Sequence, residues 1–275
     1  MFTPGVGRIG QGWGLAKQSL VVVREDGSLV ALTILGGISA GAIGLALLIP
    51  AVVVNHDGNH GIAILLGALG AYLATATGVF FAVALASCAA DVLDGKDATV
   101  AGGVRVATSR LHVILAWALV LTTVNLVIQA LRERGGLLGA ILGGAANVAW
   151  SVATFLVIPI LALEGLGPLD ALKRSTSLFR QRWGEQLVGR AAVGLVFFVL
   201  AVLPAMLLVA IGVGAGSKGL GVALVVIGVL VGVAGIVLGQ TASSVFAVAL
   251  YRYAAGEGPT GPFGPDDLQG SVVTR

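Results

Sequence analysis

Charged residues are scarce in this chain of 275 residues, where Asp, Glu, Lys and Arg together make up 11%. A soluble domain usually needs about a quarter of its residues charged to cover its surface. Instead, 57% of the residues are hydrophobic and 42 are glycine, with a mean hydropathy of +1.01. This composition excludes an ordinary soluble protein and indicates that lipid is the solvent.

Cysteine and histidine are scarce as well, with one and three residues. One cysteine excludes a disulfide framework. His56, Asp57 and His60 fall in a short turn rich in Asn and Gly, so we expect no metal and no cofactor. Cys88 has no neighbouring base pattern, which favours a small buried side chain over a nucleophile.

The sequence contains long runs of apolar residues without a charged residue. A bilayer core about 30 Å thick requires about 20 apolar residues in a helix. Six runs meet this requirement, and none shows the alternation of a membrane β-barrel. We therefore predict an all-α integral membrane protein with six transmembrane helices, bent at Pro159 and Pro204. The predicted spans are 29–54, 61–90, 111–131, 137–163, 191–216 and 219–250.

These spans divide the chain into three parts. Residues 1–28 form a predicted amphipathic segment at the cytoplasmic interface, and residues 29–255 form the transmembrane domain. Residues 256–275 are rich in proline and glycine and form a predicted cytoplasmic tail.

The basic residues predict the orientation of the spans. Lys and Arg in short loops stay in the cytoplasm. Of the 16 basic residues, 13 lie at the termini and in the loops after spans two and four, and 3 lie in the alternate loops. We expect both termini to lie in the cytoplasm, with the protein in the cytoplasmic (inner) membrane of a prokaryote.

The odd-numbered spans follow segments that are too polar to cross lipid but periodic enough to lie on it. In the segment 168–187, apolar residues recur at helical spacing from Leu169 to Leu187, with Lys173 and Arg180 at the edge of this stripe. The N-terminal segment has the same pattern, with Lys17 and Arg24 beside its apolar face. Residues 97–110 are a weaker third copy.

Two sets of matching residues indicate an internal repeat. The sequence Phe-Ala-Val-Ala-Leu occurs at 81–85 and again at 246–250. Lys17, Ser19 and Arg24 have the same spacing as Lys173, Ser175 and Arg180. The predicted unit is an interfacial helix followed by a helical hairpin, repeated three times. The alternative is that basic helices flank the spans because the inner leaflet is anionic.

The segment 164–186 resembles the signature of a known family. It reads Glu-Gly-Leu-Gly-Pro, then Ala-Leu-Lys-Arg-Ser, Leu-Phe-Arg and Trp-Gly-Glu-Gln. This pattern, with similar residues near both ends of the chain, resembles an uncharacterised family of six-span prokaryotic integral membrane proteins. The resemblance implies a fold and a membrane location, and no substrate. A more distant likeness, to membrane domains that accompany glycerophosphodiester phosphodiesterases, rests on the lysine, serine and tryptophan of the segment 168–187.

Polar residues inside predicted spans are costly in lipid and are therefore candidates for function. The predicted intramembrane candidates are Asn125, Gln129, Asn147 and Gln240. They could line a path for a solute, or they could form hydrogen bonds between helices, which is the use we favour.

Glycine spacing predicts where helices pack closely. Gly139 and Gly143, and Gly228 and Gly232, recur at four-residue spacing inside apolar runs. Such spacing lets helix backbones approach each other, so we expect packing seams.

The leading hypothesis is a non-enzymatic membrane protein that binds anionic lipid, or a partner protein or second copy, through its basic interfacial helices. The predicted contact residues are Lys17, Arg24, Lys173, Arg174, Arg180 and Arg182. The spread of positive charge over several segments argues against nucleic acid.

Two other functions are alternatives. One is a transporter or channel for a small uncharged or amphiphilic solute. The less favoured one is a membrane-embedded lipid enzyme, for which Asp91, Asp94 and Glu164 are the candidate acids and bases.

The predicted orientation has a direct test. A reporter enzyme that is active only after export should stay inactive when it is fused after Arg275, because both termini are expected in the cytoplasm. The same reporter fused in the loop 55–60 should be active. An active fusion at Arg275 would show that the orientation is wrong.

Overall fold

The computed structural model describes residues 19–24, 26–134, 136–183, 202–214 and 219–257. All the regular secondary structure in these ranges is helical. The predicted all-α class is therefore confirmed.

Nine helices of seven residues or more are described, and residues 19–24 are also helical. The helices are α1 (Gly27–His56), α2 (His60–Leu93), α3 (Val100–Ser109), α4 (Leu111–Arg134), α5 (Gly136–Ala153), α6 (Val157–Leu163), α7 (Pro168–Trp183), α8 (Leu203–Gly214) and α9 (Leu220–Ala255).

Five candidate membrane spans lie among the described residues. They are α1, α2, most of α4, the stretch Ile141–Leu163 that combines α5 and α6, and α9. These five correspond to the predicted spans one to four and six. The predicted span 191–216 lies partly outside the described residues, and its described part is the apolar helix α8.

Several spans are longer than predicted. Helix α2 has 34 residues and α9 has 36, whereas about 20 residues cross the bilayer core. The prediction ended each span where the uncharged run ended, but a helix continues as long as its backbone hydrogen bonds form. Between α1 and α2 the chain turns at residues 57–59, where Gly58 has a φ of +85°.

The prolines account for one break. Pro159 has no N–H and its ring clashes with the carbonyl four residues earlier, and α5 ends at Ala153 before α6 begins at Val157. The predicted bend at Pro159 is thus a break in the helix. Pro204 lies near the start of the described part of this span, and the residues before 202, on which the predicted bend at Pro204 depends, lie outside the described residues. Pro50 lies inside α1, which continues through it.

The glycine seams are confirmed where they were predicted. A side chain at Gly139 would collide with the backbone oxygen of Leu131 on α4, and one at Gly143 would collide with Arg132. A Cβ at Gly228 on α9 would lie 2.9 Å from the backbone oxygen of Ala205 on α8. Close approach without a side chain is what lets these helices pack in lipid.

By internal contacts the chain divides into two units. One consists of the described parts of 1–30, 89–97 and 182–275, and the other of 31–88 and 98–181. In each unit, burial is concentrated near one end of a long helix. Residues 83–88 of α2 are all buried, and so are residues 245–252 of α9. Their opposite ends expose large apolar side chains, such as Ile64 and Leu220, as expected for lipid-facing surface.

Two adjacent glycines of α1 provide a test of this packing. A Cβ at Gly36 would lie 2.7 Å from the Cβ of Phe81, whereas one at Gly37 would meet nothing within 4 Å. Overpacking typically costs about 1–3 kcal/mol, so Gly36→Ala should lower the midpoint of thermal unfolding in detergent. Gly37→Ala should leave it unchanged or raise it, because alanine favours the helix. Equal midpoints for the two variants would contradict the α1–α2 contact.

Candidate functional site

An ion pair joins the turn after α2 to the end of α9. Arg252 donates through Nη2 to Oδ2 of Asp94 at 3.0 Å and through Nη1 to Oδ1. The Lys96 ammonium lies 3.2 Å from Oδ2 of the same carboxylate. Arg252 is 8% exposed, so its charge is largely shielded from water and depends on Asp94 for compensation.

The same contacts lower the pKa of the Asp94 carboxyl. The hydrogen bond from Arg252 is the largest cause, and burial opposes it. Lys96 adds to the lowering, and the pKa falls from 3.8 to about 2. Asp94 is therefore held ionised, which is the opposite of what a general acid at neutral pH requires.

A second arginine and carboxylate pair lies in the other unit. Arg174 on α7 donates through Nε to Oε1 of Glu164 at 3.2 Å. Glu164 follows the last residue of α6, just as Asp94 follows the last residue of α2. Neither Asp94 nor Glu164 is a free carboxylate.

These carboxylates occupy an unfavourable position that explains their partners. Each follows a helix C-terminus, where the helix dipole is negative. Each also precedes a glycine with positive φ, +71° at Gly95 and +67° at Gly165, which ends the helix as in a left-handed C-cap. An arginine offsets the repulsion between carboxylate and dipole.

Helix α7 buries one face, in which Ala171 and Ser175 are small side chains. Ala171, Ser175 and Leu178, at spacings of four and three residues, are almost completely buried. The Ser175 hydroxyl donates to the backbone oxygen of Ala153 at 2.7 Å. Ala153 is the last residue of α5, where carbonyls lack partners within the helix. Ser175 therefore joins α7 to the end of α5.

The opposite face of α7 is exposed and basic. We call Leu169, Lys173, Thr176 and Arg180 the exposed basic face, since they recur at spacings of four, three and four residues and all are exposed. Lys173 lies 3.6 Å from Asp170, but both side chains are more than two-thirds exposed, and such pairs contribute little.

The apolar stripe predicted for α7 was therefore partly wrong. Phe179 is buried within the protein, where its ring lies 6.2 Å from that of Phe155, whereas Leu169 and Thr176 are exposed. The prediction was based on the spacing of hydrophobic residues, whereas the small residues Ala171 and Ser175 determine which face of α7 packs against the protein. Residues 184–187 of the predicted segment lie outside the described residues.

Residues 19–24 show the same burial as the matching part of α7. Ser19, Val22 and Val23 are buried and Arg24 is exposed. In α7 their counterparts Ser175, Leu178 and Phe179 are buried and Arg180 is exposed. The short helix α3 has a comparable pattern, with Gly103 and Ala107 buried and Arg105 exposed.

The predicted lipid-contact residues thus fall into three groups. Arg24, Lys173 and Arg180 are exposed. Arg174 is held in the ion pair with Glu164. Lys17 lies outside the described residues, and the side chain of Arg182 is likewise outside the description.

The predicted intramembrane polar residues are all exposed on the surface of the described chain. They are Asn125, Gln129, Asn147 and Gln240. Gln129 donates to Glu133 on its own helix at 2.8 Å. Across the described ranges no side-chain hydrogen bond joins Asn125, Asn147 or Gln240 to another helix, and the favoured use of these residues in interhelical bonding stays a prediction. The transporter hypothesis stays a prediction.

Two smaller expectations concern reactive side chains. Cys88 is buried and its Sγ donates to the backbone oxygen of Thr99 at 3.3 Å, which confirms the small buried side chain. His56, Asp57 and His60 are exposed. Across the described ranges, no three His, Cys, Asp or Glu side chains are placed to hold a metal ion.

Sequence reasoning missed two arginines. Arg252 was counted as one more cytoplasmic charge, and Arg110 as another. The signal for the first was its place only two residues after the final apolar run, where a charge close to lipid needs a partner. Arg110 lies against Gly165, where an added Cβ would collide with the guanidinium.

Helices of this length and apolarity, with charge confined to their ends, define a helical membrane protein. The model of DUF6159, a family of unknown function, matches residues 61–262, and the chain belongs to this family. This confirms the predicted resemblance to an uncharacterised family, and the likeness to phosphodiesterase-associated domains stays a prediction. No curated protein and no solved structure was found to match the chain.

The Asp94 ion pair predicts a pH dependence of stability. The Asp94 carboxyl has a pKa of about 2 in the folded protein, against an ordinary pKa of 3.8. Its ion pair therefore stabilises the fold at pH values above 3.8, and this stabilisation is lost as the pH falls through the folded pKa. Asp94→Asn should cost on the order of 1–2 kcal/mol at pH 7, since a charged hydrogen bond is lost from a partly exposed pair.

The measurement is thermal unfolding from pH 7 to pH 2. The difference between the wild type and Asp94→Asn should be constant down to about pH 5, and most of it should be lost between about pH 4 and pH 2. The exposed neighbour Asp97 is the matched control, and Asp97→Asn should have little effect on stability at pH 7. A wild-type advantage over Asp94→Asn that is undiminished at pH 2 would contradict the ion pair.

Proposed function

We propose that this protein is a six-span, non-enzymatic protein of a prokaryotic cytoplasmic membrane that binds anionic lipid at the inner leaflet. Its contacts are the exposed cations of short helices that lie along the interface. The observation that supports this most strongly is the division of α7 between a buried small-residue face and the exposed basic face.

The attachment of α7 to the rest of the protein fixes which of its sides is exposed. Ser175 and Ala171 bury one side of the helix, and the Ser175 hydroxyl bonds Ala153. A helix attached in this way cannot turn its basic side inward. Lys173 and Arg180 therefore stay available to a partner outside the chain.

The exposed basic face of α7 combines an apolar side chain with cations. Leu169 is an exposed leucine between α6, a part of a candidate span, and the cations of α7. An apolar side chain beside flexible cations suits a membrane interface, where the leucine enters the acyl region and the cations reach phosphate. Each basic side chain near an anionic leaflet gains about 1 kcal/mol.

Residues 19–24 and α3 support an arrangement in three repeats. Ser19 and Ser175 are both completely buried. Residues 83–85 at the end of α2 and 248–250 near the end of α9 occupy matching positions of the repeated sequence and are buried alike. With the predicted orientation, every copy places its cations at the inner leaflet, where anionic lipid is concentrated.

The test removes charge from one face of α7 without changing the rest. Lys173→Gln with Arg180→Gln lowers the net charge by two on the exposed basic face. Ser177→Glu with Gln181→Glu lowers it by two elsewhere on the same helix, and both of these positions lie outside the buried face. The anionic lipid that copurifies with each variant in mild detergent is then measured by mass spectrometry.

The first double variant should lose most of the copurifying anionic lipid, because two cations worth about 1 kcal/mol each are removed. The second should retain it. Equal lipid content in both variants, or a wild type without anionic lipid, would show that the proposal is wrong. If the ligand is a partner protein, lipid content would also be equal in both.

A further inference from the structure

Arg110 is a partly buried cation that bonds no carboxylate among the residues that the structure describes. It follows α3, and its backbone N–H bonds the oxygens of Val106 and Ala107. Its Nε is buried and has no hydrogen-bond partner in the part of the chain that the structure describes. Among the arginines whose side chains the structure describes, Arg174 and Arg252 are also at least partly buried, and each of them bonds a carboxylate.

The surroundings of Arg110 are built around its guanidinium. The group lies against Gly165, where a side chain would collide with Nη1. Gly165 also has a φ of +67°, so that position both requires glycine and leaves the space for arginine. The neighbouring carboxylate of Glu164 bonds Arg174 instead.

A guanidinium Nε that is buried without a partner is costly, because this donor loses water and gains no hydrogen bond in return. Its planar fork of donors matches the oxygens of phosphate and carboxylate. Arg110 directly precedes Leu111, the first residue of a candidate span. At the entrance of a span, the anions that a membrane supplies are phosphates.

We propose that Arg110, beside Gly165, binds a phosphate group at the junction of α3 and the loop 164–167. The group belongs to an anionic lipid headgroup or to free phosphate, which present the same oxygens. The inference deepens the proposed function and rests on it for the lipid, but it concerns a separate residue. Lys173 and Arg180 attract lipid by charge, whereas Arg110 bonds one phosphate.

The test is a titration of delipidated full-length protein in detergent. The probes are short-chain phosphatidylglycerol, short-chain phosphatidylcholine at equal concentration, and inorganic phosphate, with binding read from intrinsic tryptophan fluorescence and from thermal stabilisation. Arg110→Gln is compared with Arg105→Gln, because Arg105 lies on α3, is exposed and carries the same charge. Arg110→Lys keeps the charge without the fork and provides a second variant if Arg110→Gln does not fold.

Arg110→Gln should weaken binding about tenfold or more, the usual effect of losing a charged hydrogen bond. Arg110→Lys should weaken it less, and Arg105→Gln by less than about twofold. Binding of phosphatidylglycerol without inorganic phosphate would assign the site to a lipid headgroup, and binding of both would show that phosphate alone suffices.

Three results would overturn the inference: no binding of either anionic probe to the wild type, equal weakening in Arg110→Gln and Arg105→Gln, or wild-type binding in Arg110→Lys. Tighter binding of phosphatidylcholine than of phosphatidylglycerol would also contradict it. A wild type that copurifies no anionic lipid yet binds phosphate through Arg110 would refute the proposed function and support this inference. Loss of copurifying lipid from the variant with Lys173→Gln and Arg180→Gln, together with wild-type phosphate binding in Arg110→Gln, would support the proposed function and refute this inference.

Discussion

The absence of water from the bilayer core is the constraint on which the rest of this structure depends. A backbone amide in lipid must find its partner within the same segment, so each span is helical. The same constraint limits charge to the helix ends, and in this chain it accounts for the low content of charged residues. Packing between spans then relies on close approach rather than on hydrophobic burial, as at Gly36 and Phe81.

At the helix ends, charged side chains occur and need partners of opposite charge. Asp94 and Glu164 follow the C-termini of apolar helices, where the dipole repels them, and Arg252 and Arg174 compensate them. Arg110 lies at a similar boundary without such a carboxylate among the described residues. The ion pairs hold helix ends to neighbouring elements, and in the proposed function the cations without a carboxylate partner are the ones that meet the membrane.

The fold class and five spans followed from hydrophobic runs alone, because a run of that length has one stable form in lipid. Helix ends did not, since α2 and α9 continue beyond the uncharged residues. For the site, the exposure of Arg24, Lys173 and Arg180 was predictable from periodicity. The pairing of Arg174 with Glu164 was not, because a hydrogen bond between side chains ten residues apart depends on how the loop 164–167 turns. The buried face of α7 was also not predicted, because Ala171 and Ser175 pack against the protein on account of their small size and not of their hydrophobicity.

The central claim is that the exposed basic face of α7 lies on the membrane while its neighbouring side faces water. Spin labels at Thr176 and at Gln181, in a Cys88→Ser background and in liposomes containing phosphatidylglycerol, test this most directly. Collision rates with oxygen, which concentrates in lipid, are compared with those of a water-soluble nickel complex. The label at Thr176 should favour oxygen and the label at Gln181 should favour nickel. Equal, high accessibility to nickel at both positions would contradict the account.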